Sequence, residues 1–361
     1  MKKFRNVFAL VLALVMALSM TACGQKEAPV ETTAAAAVPE TTAAPVPETT
    51  EAPAPETTAA PVQEETDAIS IMVLNGTTGF GMANLMDAAA KGETSHDYHF
   101  VVETDASNIV AGLVNGSVDI AALPTNAAAT VYNKTQGNVQ VLALNTLGVL
   151  YLVTDGSVTI NSMADLAGKT VYAPAQNPSF IFQHLVQANG LTDVTIDNTY
   201  AQPADLNTAV ASGEVSIAVL PEPMVTVAKS KNPDLVVALD LTQEWDKVSP
   251  AGSLVQGCVV VRTDFVMQNT AVVNDFLMEY GASIEAMTTD IEGTAAKIEA
   301  NGIFTKAAVA AKAIPNCNVC FIIGEEMRSA LSEFLTIMHG VAPASVGGSI
   351  PGDDFYCIFN G

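Results

Sequence analysis

Hydrophobic positions fall into three regimes along this chain. An almost unbroken apolar run from Val7 to Met20 follows the basic start Lys2, Lys3 and Arg5. From Gly24 to Asp67 Ala, Pro, Glu and Thr dominate, with three tandem octads starting at Val38, Val46 and Ala54. From Ala68 onward short apolar runs bounded by glycines alternate with stretches of helical period. That alternation predicts strands and helices in turn, the pattern of an α/β protein.

Within the third regime the chain matches itself at an offset of 97 residues: Asn108 to Asn126 aligns without gaps on Asp205 to Pro223. Each copy predicts an amphipathic helix ended by a glycine, Gly116 or Gly213, which takes the left-handed cap conformation at low cost. A short strand follows, Val118 to Leu123 or Val215 to Leu220, and then a proline, Pro124 or Pro221, set for the first turn of another helix. Nearly the same offset relates the starts of the two halves. Ile69 to Asn75 reads as a strand entering the Gly76–Gly81 loop and a helix from Met82. Lys169 to Ala173 reads as a strand entering the loop Pro174–Ser179 and a helix through Asn189. Two βαβ-type units therefore place matching loops at the carboxyl ends of their strands, where open α/β sheets collect ligands.

Between the halves, Val139 to Thr146 and Val149 to Thr154 read as strands broken at Gly148, which makes them candidate crossover segments. After Pro250 the pattern predicts a strand from Gly257 to Arg262. Helices then follow over Asp264–Asp290, Ile291–Asn301, Thr305–Ile314 and Glu325–Met338, returning to complete the first half.

The first two regimes change the picture of where the protein works. A basic start, an apolar run and Met20-Thr21-Ala22-Cys23 have the order of a secretory leader. A cysteine directly after small residues resembles the bacterial lipoprotein box, with Met20 where leucine is usual. This implies a signal peptide over 1–22 and a lipid on Cys23. The run is shorter than the roughly 20 residues a comfortable membrane span needs. Residues 23–67, the lipidated cysteine and the Pro/Thr/Ala/Glu stretch, read as a disordered tether that has too little apolar surface to form a core. The outer face of the cell membrane is the expected location.

The full chain carries a net charge of −23. Without the three leader cations, and without the tether's nine acids and one lysine, about −18 remains on Ala68 to Gly361. No basic cluster occurs, which makes nucleic acid and anionic lipid headgroups poor partners. Cys317-Asn318-Val319-Cys320 has a CxxC spacing, but His96, His99, His184 and His339 are scattered and no second pair accompanies it. Core packing is the expected role of these cysteines, and neither metal nor cofactor is expected. No Gly-x-Ser-x-Gly, HExxH or P-loop is present, so no enzyme is expected.

Taken together, the lipobox, the Gly/Thr loop after the first strand, Gly-x-Val-x-Ile-Ala-x-Leu-Pro in each half and Met163-Ala-Asp-Leu-Ala-Gly-Lys-Thr-Val171 resemble solute-binding lipoproteins of ABC importers. The resemblance runs from Ile69 to the C-terminus and is nearest the nitrate/sulfonate/taurine-type branch, which includes thiamine-pyrimidine binders. It implies the type II periplasmic-binding-protein fold: two α/β lobes joined by two crossing segments, with a ligand cleft between them. Lobe 1 is then 68–152 and 252–361, and lobe 2 is 153–251. It also implies a monomer that captures a small solute and hands it to a permease and its ATPase. A tethered sensor without a transporter and a thiamine-pyrimidine-synthase-like enzyme are the alternatives.

The candidate ligand contacts are the loop residues. Gly76, Thr77 and Thr78 either cradle a polar group or only turn the chain and cap a helix. Thr125 and Asn126, like Gln176, Asn177 and Ser179 in the matching position, are either cleft donors or helix caps. Phe80 and Phe180 either sandwich a planar ligand or belong to the core, and Glu222 either meets the ligand or steadies its own helix dipole. These loops hold no Lys or Arg, which favours a neutral or partly cationic solute over a dianion. Trp245 is expected to pack at the rim or hinge.

Overall fold

The computed structural model describes residues 68–359. The leader, Cys23 and the tether lie outside the described residues. Two sheets organise the fold. The first contains β1 (Ile69–Leu74), β2 (Tyr98–Glu103), β3 (Ile120–Pro124), β4 (Val139–Leu147), β10 (Val255–Arg262) and β11 (Val319–Ile322), in the order β11-β4-β10-β3-β1-β2. The second contains β5 (Leu150–Thr154), β6 (Thr170–Tyr172), β7 (Thr195–Asp197), β8 (Ile217–Pro221) and β9 (Val236–Asp240), in the order β7-β6-β8-β5-β9.

Strand direction brings the candidate loops together. β1 and β3 run parallel, and β10 runs antiparallel to β3 with Gly257 opposite Pro124. β6 and β8 run parallel, and β5 runs antiparallel to β8 with Leu150 opposite Pro221. The carboxyl ends of β1, β3, β6 and β8 therefore all lie on the side where the chain passes between sheets. It passes from β4 to β5 through Gly148-Val149, and back through residues 247–254 into β10.

The repeat takes a slightly different form from that predicted. Gly116 is the left-handed cap of the helix Ala106–Asn115, at φ 79°. In the other copy the helix Pro203–Ala211 is capped by Ser212, and Gly213 follows at φ 77°. Pro124 and Pro221 end their strands and do not open helices. In the first copy the helix Thr125–Thr135 starts at once, whereas in the second Met224–Lys231 starts three residues after Pro221. The Gly76–Gly81 loop contains a single helical turn, Thr77–Phe80, before the helix Ala83–Ala90. The long helix after β10 breaks at Asn269 into Thr263–Gln268 and Thr270–Thr289.

Apolar burial ties the two sheets together on one flank. The terminal helix Gly324–Val341 packs against β4 and β10 of the first sheet and against the helix Asn177–Ala188 over the second. Trp245 sits between them, fully buried, with its ring 4.7 Å from His184 and 5.9 Å from Phe334. This is the packing role the sequence suggested.

Candidate functional site

The seam between the sheets is built from the predicted loops and from residues the sequence did not single out. Gly76, at φ 83° and ψ −158°, adopts a backbone conformation that favours glycine and starts the helical turn. Thr77 is buried and donates its hydroxyl across the seam to the backbone carbonyl of Glu222 at 2.8 Å. The Thr78 carbonyl accepts from Asn145 Nδ2 at 3.0 Å. In the second half, Gln176 stands at φ 67° and ψ −135°, a strained conformation for a residue with a side chain. It precedes Asn177, which is only 8% exposed and whose Oδ1 is buried without a donor among the described residues.

Other candidates turn inward. Phe80 is fully buried against Phe304 in an edge-on pair at 6.2 Å. It belongs to the first sheet's core, so a Phe80–Phe180 sandwich is not formed. Phe180 is half-buried and leans on the core shared by the two sheets. Thr125 is neither a cleft donor nor a cap, because its hydroxyl donates to the Val255 carbonyl at 2.8 Å. Asn126 Nδ2 reaches the Ser345 carbonyl at 3.4 Å, while its Oδ1 and the Ser345 hydroxyl are buried without partners among the described residues. Ser179 is occupied by Asn198, whose Nδ2 donates to it at 3.1 Å.

Glu222 is 4% exposed, and its carboxylate is turned back onto its own helix. The Thr226 amide donates to Oε2 at 3.1 Å and the Thr226 hydroxyl to Oε1 at 3.0 Å. Burial pushes its pKa up, against the pull of these Thr226 bonds, Lys229 and Asn316. The sign of the stability effect follows. Below the ordinary glutamate range the group is neutral whether the chain is folded or not. As pH rises through that range the unfolded chain ionises first, and stability is lost until the raised folded pKa is passed. Wild type is therefore expected to lose stability over this window relative to Glu222→Gln, as read from urea midpoints at a series of pH values. Parallel curves would mean that the ionised carboxylate carries no burial penalty.

Four seam residues, Tyr151, Asn316, Cys317 and Asn318, had no site signal beyond the CxxC motif. The Tyr151 hydroxyl donates to the Asn316 carbonyl at 2.9 Å. Burial, followed by the charges of Asp240 and Glu222, pushes its pKa up, so it remains a donor. Cys317 is fully buried with its sulfur 3.9 Å from the Thr77 hydroxyl. Burial and then Glu222 push that thiol up, and burial holds Cys320 up to about 12. Both are neutral thiols, and neither they nor the other described cysteines, Cys258 and Cys357, are paired.

A separate cavity of about 710 Å³ is lined by Ile69, His96, Asp97, Asp119 and Phe265. It opens at the amino-terminal end of β1, away from the strand ends where ligands collect in such sheets.

Two α/β sheets, crossed twice by the chain and facing one another across loops at their strand ends, define a periplasmic-binding-protein fold. Solved structures share it at low identity. A crystal structure of an ABC transporter from Parabacteroides distasonis matches with a TM-score of 0.69 at 23% identity, covering 80% of this chain and 98% of that one. The periplasmic aliphatic sulphonate binding protein of Escherichia coli matches with a TM-score of 0.62 at 16% identity, covering 78% and 95%. The alkanesulfonate-binding protein of Xanthomonas axonopodis pv. citri, solved bound to MOPS, matches with a TM-score of 0.58 at 13% identity, covering 79% and 94%. No curated protein sequence matches the chain. The profile of the ABC-transporter phosphonate periplasmic substrate-binding family matches residues 86–295. The chain belongs to that family and is the substrate-binding component of an ABC transporter. Its family members are binding proteins and not enzymes. No helix among the described residues is long and apolar enough to cross a membrane.

Proposed function

We propose that this protein is a monomeric extracytoplasmic lipoprotein, anchored through Cys23 after removal of residues 1–22. It takes a small neutral or partly cationic solute into the seam between its sheets and delivers it to a permease and its ATPase. Lobe 1 is formed by 68–152 and 252–361, and lobe 2 by 153–251. Asn177 is the observation that carries the ligand reading. Its buried, unpartnered Oδ1 follows a strained Gln176 at the carboxyl end of β6. A buried acceptor without a donor costs about 1–3 kcal/mol, which a solute N–H or O–H group would recover. Thr78, Asn126 and Gln176 are the remaining contacts of choice. The phosphonate and sulphonate in the relatives' names are the competing class, but the four seam loops offer no Lys or Arg to such a charge.

The test is a thermal-shift screen on the fragment Ala68–Gly361, using amines, heterocycles including thiamine precursors, amino acids, nitrate, sulfonates and phosphonates. A true ligand at a hundredfold excess over Kd is expected to add about 2.7 kcal/mol of stability. Asn177→Ala should abolish that gain. A shift with phosphonates or sulfonates alone would refute the ligand class. A shift unchanged in Asn177→Ala, Asn126→Ala and Glu222→Ala would refute the loops.

A further inference from the structure

The Cys-Asn-Val-Cys segment is not explained by solute capture, yet it lies where the two sheets meet. Gly148-Val149 is the direct passage from β4 to β5, and Asn316–Asn318 grips it from the first sheet's side. Asn318 Nδ2 donates to the Gly148 carbonyl at 2.6 Å, and the Leu147 amide donates to the Asn318 carbonyl at 3.0 Å. Asn318 stands at φ 44°, a left-handed conformation that turns its side chain onto the passage. Two residues earlier, the Asn316 carbonyl accepts the Tyr151 hydroxyl from the second sheet at 2.9 Å. Between them Cys317 fills the space beneath the Thr77–Glu222 bridge. The helices Ala307–Ala313 and Met224–Lys231 pack together beside it.

We propose that Asn316–Asn318 is a clasp across the hinge that sets how often the two sheets part, and that it acts without touching solute. All of these contacts lie within the chain, so the clasp favours the shut arrangement before any contact to solute is counted. A solute then completes a nearly formed site and spends little of its binding energy on closure. Cys317 becomes a cryptic thiol, reachable only when the seam opens.

That thiol supplies the test, which is independent of the solute's identity. The full-length protein without solute is treated with iodoacetamide at pH 8, and alkylation of each cysteine peptide is followed by mass. Cys258 is fully buried in central strand β10 and serves as the reporter of global unfolding. Tyr151→Phe removes one grip. Asn318→Gly removes the other while keeping the left-handed backbone accessible. Each variant is expected to raise Cys317 alkylation about fivefold, the loss of one ordinary hydrogen bond, and in every form Cys317 should react faster than Cys258 and with a weaker urea dependence. Cys317 reacting only at the Cys258 rate, with the same urea dependence, would mean that global unfolding exposes it and would overturn the clasp. Unchanged Cys317 rates in both variants would overturn it too.

Discussion

Replacing Trp245 with alanine is expected to cost about 3–5 kcal/mol of folding stability, the range for truncating a large buried aromatic side chain. The expectation rests on what the indole touches. It is fully buried, its Nε1 donates to Ser253 Oγ at 2.8 Å, and Ser253 in turn donates to the Pro250 carbonyl at 2.6 Å. One face meets His184, on the helix over the second sheet, and the ring also approaches Phe334, on the terminal helix over the first. His184 is itself held by Ser249 at 2.7 Å, on the returning segment. Alanine would leave a cavity among three elements, and the return passage would lose one of its anchors. Urea unfolding read by circular dichroism is the measurement, since Trp245 is the chain's only tryptophan and its own fluorescence disappears with it. Trp245→Phe should recover more than half of the loss by refilling most of the volume. A loss below about 1 kcal/mol in the alanine variant would mean that the flank holds without the indole.

The strands legible in the sequence and those that were not divide along a physical line. Seven strands were read from apolar runs: β1, β3, β4, β5, β6, β8 and β10. Four were not: β2, β7, β9 and β11. In the two sheet orders these four are the edges, and the seven lie inside. Most of the interior strands are covered on both faces as well as flanked by strands on both sides, so they are spelled as dense runs such as Ile120–Pro124 or Val255–Arg262. An edge strand such as Tyr98–Glu103 has one residue buried and the rest partly or fully exposed, while Thr195–Asp197 has none buried. Its sequence carries too weak an alternation to stand out.

The site was legible to a different depth. Loop positions followed from the repeat, because a strand, a glycine and a proline are local signals. Side-chain assignments did not follow, because a threonine after a strand serves equally as donor, cap or tie. Thr77 ties the two halves together and Thr125 ties the start of its own helix to β10, although their local sequences give the same reading. The seam partners Tyr151 and Asn316 are 165 residues apart in sequence, and nothing local to either announces the other.

Gly148→Ala is expected to destabilise the protein by about 1–3 kcal/mol, the cost of forcing a methyl group into a filled site, and to change the angle between the sheets. The reason is steric and not conformational. A Cβ at this position would fall on the Thr242 hydroxyl and stand 2.6 Å from Leu254 Cδ2. Thr242 lies in the helix Leu241–Asp246, at the end of the outward excursion, and Leu254 lies on the return, just before β10. The return passage and the helix before it therefore press on the glycine of the outgoing passage. Threonine is branched at Cβ and has few alternative rotamers, and Leu254 is buried, so neither neighbour yields easily. The passages must separate, and the sheets they carry must rotate. Gly190→Ala is the control: Gly190 has a positive φ of 69° with open space around it, so its cost is purely conformational and the angle should stay fixed. Small-angle scattering on the solute-free protein separates the two, since a changed radius of gyration is expected for Gly148→Ala alone. If Gly148→Ala leaves both the scattering and the urea midpoint unchanged, the crossing point is looser than its contacts imply and Gly148 is not where the hinge is constrained.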